Sequence, residues 1–82
     1  MSAADQLALR TGIGRRIESA RLAKRWSRNE LARRLNLTAF TVWSWETGRS
    51  TPTADRLVLM AHAIGVRPGD LLPELPSPPE QP

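Results

Sequence analysis

The residues that stop helices set the form of this chain. Gly12, Gly14, Asn36, Gly48, Pro52, Gly65 and Pro68 cut it into short stretches, and from Pro73 on the sequence PELPSPPEQP is half proline. Between these stops apolar residues recur at helical spacing, as at Ile13, Ile17 and Ala20, and no stretch makes a convincing strand. A chain of 82 residues punctuated so often is expected to be all-α, with five short helices around one small core.

Local signals place the five. The first helix is expected to open at Gly12-Ile13-Gly14 and run to about Arg25. Ser27-Arg28-Asn29-Glu30 has the form of a capping box, in which the Ser27 hydroxyl accepts from the Glu30 amide and the Glu30 carboxylate reaches back to the Ser27 N–H. Leu31, Ala32 and Leu35 then give the buried stripe of helix 2. Asn36 tolerates the left-handed conformation that ends helices. Thr38 caps helix 3, which spans 39–47 and ends before Gly48. Thr53 caps helix 4, whose stripe is Leu57, Met60, Ala61 and Ile64, with Gly65 as its stop. Pro68 suits the first turn of helix 5, where Leu71 and Leu72 are apolar. Two short helices joined through Asn36-Leu37 have the form of a helix-turn-helix.

These signals divide the chain into residues 12–72, a domain; 1–11, an N-terminal extension; and 73–82, a proline-rich tail. The extension is read as either disordered or helical. Leu7 and Leu9 extend the first helix backward or pack on a dimer partner, and Gly12 weakens helical continuity. The tail has little to bury and is expected to be extended or disordered, with docking to a partner the less economical alternative.

Several functions are disfavoured. With no cysteine, neither a disulfide frame nor a thiolate metal site is available. His62 is the only histidine and sits between Ala61 and Ala63 with no second ligand or paired carboxylate at a useful spacing, so neither catalysis nor a metal is expected. There is no glycine-rich phosphate loop, no small-molecule site is evident, and no cofactor is expected. MSAADQLALR lacks the basic-then-apolar pattern of a secretory signal, and no segment has the apolar length to cross a bilayer, which gives a cytoplasmic expectation without membrane partners. Charge is uneven: residues 1–49 carry ten basic and four acidic side chains, a net +6, whereas 50–82 carry two and four, a net −2. A basic half suits a polyanion, although a merely solvated face explains the charge equally well.

Over residues 13–72 the chain resembles the phage repressor and Cro type of helix-turn-helix protein, the XRE family. The resemblance is carried by IGRRIESAR, WSRNELARRLNLT, VWSWETGRSTPT, LVLMAHAIGV and DLL, most specifically by the run Leu31-Ala32, Leu35, Val42, Trp45-Glu46, Gly48 and Pro52. It implies a compact five-helix repressor-like domain in which helix 2 braces helix 3 and helix 3 enters the DNA major groove. On a helix over 39–47, Val42 and Trp45 share one face, the core side, while Phe40, Trp43, Ser44 and Thr47 lie opposite. Trp26 looks like the apolar residue that staples helix 2 to the core. By the resemblance, Ala39, Phe40 and Ser44, with Trp43 nearby, face bases. Arg28, Thr38, Thr41, Thr47, Arg49, Ser50 and Thr51 face the sugar–phosphate backbone. Arg21 and Glu46 match a pair that fixes helix 3 on its scaffold, a structural role, with a direct DNA role as the alternative.

Relatives often carry glutamine or arginine at the base-facing positions, side chains whose paired hydrogen bonds discriminate by about 1–3 kcal/mol each. Ala39 and Phe40 can only press against thymine methyl groups, which predicts a thymine-rich half-site and more weight on DNA shape. The leading expectation is therefore a transcriptional regulator, a repressor, bound to double-stranded DNA as a homodimer. No second domain is seen to sense a ligand, so control would come through abundance, dimerisation or a partner. Helix 5, through Pro68, Leu71 and Leu72, and the flanking tail are the expected dimer surfaces, unless the leucines are core. The competing expectation is a protein-interaction module of the same fold, an antitoxin that binds a toxin or a co-regulator that bridges to another regulator. In that case either Phe40 and Trp43 cover a protein surface, as exposed aromatic patches often do, or the PELPSPPEQP tail binds one.

Overall fold

A single long helix organises the molecule. In the computed structural model, which describes residues 2–74, α1 runs from Ala3 to Ala23 and is followed by α2 (Arg28–Arg34), α3 (Ala39–Glu46) and α4 (Ala54–Ile64). The class is all-α, with no strand among the described residues. The fifth expected helix is instead a single 3-10 turn over Pro68–Leu71, closed by Asp70, whose carboxylate accepts from the Arg67 N–H at 3.0 Å. Pro68 and Gly69 start this turn and prolines follow Leu72, so a helix has no room to continue.

The first helix begins far upstream of Gly12. Ser2 and Asp5 form a reciprocal capping box, with the Asp5 N–H donating to the Ser2 hydroxyl at 3.1 Å and the Ser2 N–H donating to the Asp5 carboxylate at 3.3 Å. Of the two readings of the extension, the helical one is thus the structure of residues 3–11, and Leu7 is exposed while Leu9 is half-buried. Gly12 and Gly14 do not interrupt the helix because they serve its packing. A Cβ on Gly12 would lie 2.9 Å from Cγ of Pro73, where the chain leaves the domain and crosses α1. A Cβ on Gly14 would meet the backbone of α3 at the Trp45 and Glu46 carbonyl groups, 2.6 Å from the Glu46 oxygen. From residue 75 on, the expected tail lies outside the described residues.

Helix 2 starts at the Ser27–Glu30 box, with both hydrogen bonds formed, at 3.1 and 3.2 Å. It stops at Leu35, and Asn36 takes φ = 57°, the left-handed turn that swings the chain into α3. At α4 the cap differs from expectation: the Thr53 hydroxyl donates to the Asp55 carboxylate rather than accepting from a backbone N–H. That contact, with the Arg56 N–H, holds the exposed Asp55 carboxyl below its ordinary pKa. Gly65 ends α4 at φ = 91°, in the region where a side chain is strained.

The core collects Ile17 from α1, Leu31 and Ala32 from α2, Val42 and Trp45 from α3, Leu57, Met60, Ala61 and Ile64 from α4, and Leu71 from the 3-10 turn. Leu71 is 1% exposed and Leu72 is exposed, so of Pro68, Leu71 and Leu72 only Pro68 and Leu72 are open to the expected self-association. The packing of α3 on α1 at Gly14 makes a sharp demand. Gly14→Ala should lower unfolding free energy by about 1–2 kcal/mol, because the backbone overlap outweighs the roughly 1 kcal/mol that alanine gains inside a helix. Gly69→Ala, whose Cβ would meet nothing within 4 Å, should be near neutral in the same urea titration; equal losses would refute the account.

Candidate nucleic-acid interface

The short helix α3 divides into two sides. Val42, Trp45 and Glu46 face inward and are buried, while Phe40 on the outer side is 70% exposed. Eight residues with this little apolar contact would not hold an orientation alone. Three things hold it: the Thr38 cap, the close approach to Gly14, and an ion cluster at its C-terminal end.

The cluster is built around the Glu46 carboxylate. Arg21 donates to it twice, Nε to Oε2 at 2.7 Å and Nη2 to Oε1 at 3.0 Å, in the paired geometry that a guanidinium and a carboxylate favour. Arg28 adds a third donor, Nε to Oε1 at 2.9 Å. The remaining arm of Arg21, Nη1, donates to the Trp26 carbonyl oxygen at 2.8 Å. Glu46 thus binds α1, the α1–α2 loop and α2 to α3 at one point. Its hydrogen bond and charge hold the Arg21 guanidinium above its ordinary pKa against the opposing effect of burial. Among the described residues no buried side-chain nitrogen or oxygen lacks a partner.

Arg28, expected on the sugar–phosphate backbone, therefore has a second engagement, and its Nη2 also lies 3.6 Å from Glu18. The side chain stays about one-third exposed at the start of α2. The amino-acid sequence offered no local signal for this contact, which joins residues 18 positions apart.

On the outer side the expected residues come together unevenly. The rings of Phe40 and Trp43 lie 5.4 Å apart, and the Arg49 guanidinium sits 4.9 Å over the Trp43 ring. Ser44 Oγ and Ser50 Oγ are 2.8 Å apart, which pins the loop after α3 to the helix. Thr47 donates its hydroxyl to the Trp43 carbonyl oxygen at 2.8 Å. At the other end, the Thr38 hydroxyl accepts from the Thr41 N–H at 3.3 Å, and the two hydroxyls are 3.1 Å apart. Ala39 is half-buried at the first position of α3, and Thr51 is exposed beyond Ser50. Trp26 is half-buried against the core, with Arg34 stacked 4.0 Å from its ring centre.

Comparison with known proteins places this arrangement. A family model described as a helix-turn-helix domain matches residues 13–75. Among solved structures, a hypothetical transcription factor from Neisseria, NHTF, is 33% identical, with a TM-score of 0.74 over 84% of this chain and 77% of its own. The clp gene regulator ClgR from Corynebacterium glutamicum is 26% identical, with a TM-score of 0.72 over 76% of this chain and 66% of its own. Hydroxypropylphosphonic acid epoxidase from S. wedmorenis is 29% identical, with a TM-score of 0.77 over 82% of this chain, which spans 36% of the epoxidase. No curated protein sequence matches the chain.

Because both Glu46 oxygens are engaged and its side chain is fully buried, truncation leaves two arginines facing a void. Glu46→Ala should cost about 3–5 kcal/mol and lower the melting temperature, the range for removing one partner of a buried pair. An unchanged melting curve would show that the cluster does not hold the domain.

Proposed function

The chain belongs to the helix-turn-helix domain family, and from that membership we propose that it is a sequence-reading DNA-binding transcriptional regulator, a repressor of the phage repressor and Cro type. The observation that carries the reading is the form of α3. Its inner side is tied down by Glu46, Val42 and Trp45, and its outer side presents Phe40, Trp43 and Ser44 beside the exposed Arg49, Ser50 and Thr51. A braced helix with an unoccupied outer side is what insertion into a groove requires. In this reading Ala39, Phe40, Trp43 and Ser44 meet base edges. Arg28, Thr38, Thr41, Thr47, Arg49, Ser50 and Thr51 lie along the flanking phosphates, and the excess of basic residues before position 50 supplies the non-specific attraction.

The two regulators among the similar structures support this reading, the Neisseria protein over three-quarters of its length. The likeness to the epoxidase does not transfer an epoxidase activity, because this chain spans only 36% of that enzyme. We read the chain as non-enzymatic. It acts as a homodimer on a near-palindromic site, with α3 helices about 34–36 Å apart. Consistent with a protein of the cell interior, no described helix is long and apolar enough to cross a membrane.

One observation favours a protein partner as the second reading. A cleft of about 220 Å³ lies between the helix-turn-helix turn and α4, lined by Leu35, Asn36, Leu37, Asp55, Arg56 and Leu59, and Leu59 is exposed at its edge. A toxin or a second regulator seated there would leave α3 free, so the two readings are compatible.

Selection of duplexes from a random-sequence pool at about 0.15 M salt, where non-specific binding is weakened, tests the proposal. A two-fold motif is the expected recovery, and binding without any motif would refute it. Arg49→Ala should weaken every duplex by a similar factor and reduce the slope of log K against log salt by about 1. An unchanged slope would remove Arg49 from the phosphate contacts.

A further inference from the structure

The outer side of α3 is unusual in how little hydrogen bonding it leaves over. Thr47 has spent its proton on the Trp43 carbonyl, Ser44 and Ser50 share a hydrogen bond, and so do Thr38 and Thr41. What stands out into solvent is the Phe40 ring, packed 5.4 Å from the indole of Trp43, which in turn lies under the Arg49 guanidinium. These three groups lie against one another, and the part that stands out farthest, the Phe40 ring, is apolar.

In the major groove the pyrimidines differ at two points. Thymine presents an O4 acceptor and a C5 methyl group; cytosine presents an N4 amino donor and a bare C5. A hydroxyl that both donates and accepts, such as that of Ser44, suits O4 and N4 alike. A ring surface senses only the substituent at C5. We infer that the Phe40–Trp43 surface recognises the pyrimidine 5-methyl group itself, so that 5-methylcytosine is accepted wherever thymine is, while uracil and unmethylated cytosine bind more weakly. This rests on the reading of α3 as the groove-facing helix and adds the chemical group that it reads. It makes binding responsive to methylation of cytosine in the DNA.

The experiment uses one duplex recovered from the random pool, made with thymine, deoxyuridine, 5-methylcytosine or cytosine at each pyrimidine position of a half-site, with the matching purine opposite. Thymine against deoxyuridine, and 5-methylcytosine against cytosine, each change one methyl group and leave the partner base alone. At one or two positions each methyl group should tighten binding about fourfold, the value of one buried methyl-sized group, and by the same factor on both backgrounds. In Phe40→Ala both increments should vanish, with the melting curve unchanged because the side chain is exposed. Equal binding of thymine and deoxyuridine duplexes would overturn the inference and leave the regulator reading standing. So would a methyl increment confined to thymine, which would mean that a donor such as the Trp43 indole N–H selects O4. Increments that persist in Phe40→Ala would assign the methyl contact elsewhere and overturn it too. If the pool yields no preferred duplex at all, the inference and the proposed function fail together.

Discussion

The angle at which α3 lies on the rest of the domain is fixed most tightly at one carboxylate. Glu46, whose side chain is fully buried, accepts from Arg21 and Arg28, and Arg21 carries the connection on to the backbone at Trp26. Such a cluster is a poor source of net stability, since removing charges from water costs much of what their attraction returns. Its value lies in direction. Apolar contacts between Val42, Trp45 and the core allow small rotations of α3, but a two-pronged guanidinium contact allows very few. The helix is too short to set its own angle, so the angle is set at its end.

The backbone complements this restraint. Gly14 lets α1 and α3 approach until a methyl group would not fit, and Gly48 continues the contact past the helix end, where a Cβ would lie 3.4 Å from the Thr11 hydroxyl. The extra length of α1 is thus part of the scaffold for α3 at residues 11–14. Upstream of that, residues 3–8 are exposed. Loss of the ion cluster and loss of the close approach would be felt differently, the first in angle and the second in distance.

Local signals proved the readable part of the fold. The Ser27–Glu30 box, the turn at Asn36 and the stop at Gly65 depend on neighbours within a few residues, and the stripe of α4 follows from spacing alone. The start of α1 is equally local, since Ser2-Ala3-Ala4-Asp5 has the spacing of a capping box, a signal that opening the helix at Gly12-Ile13-Gly14 passes over. Those glycines answer to Pro73 and to the α3 backbone, partners that only tertiary structure brings near. The second engagement of Arg28 is hidden for the same reason: at the start of a helix it looks like a free cation, and only the fold puts Glu46 within reach. The last apolar pair, Leu71 and Leu72, splits between core and solvent because the 3-10 turn ends at Leu71 and Leu72 leaves it in extended backbone.

The separation of duties along α3 has a consequence for how such a protein can change. Residues that fix the helix and residues that face outward are different residues, and Phe40 carries almost none of the core. Substitutions on the outer side therefore meet a threshold set by solubility and local stacking rather than by folding. If the outer side of α3 meets DNA as proposed, a library varied at Ala39, Phe40, Trp43 and Ser44 would explore new specificities while Val42, Trp45 and Glu46 keep the helix in place.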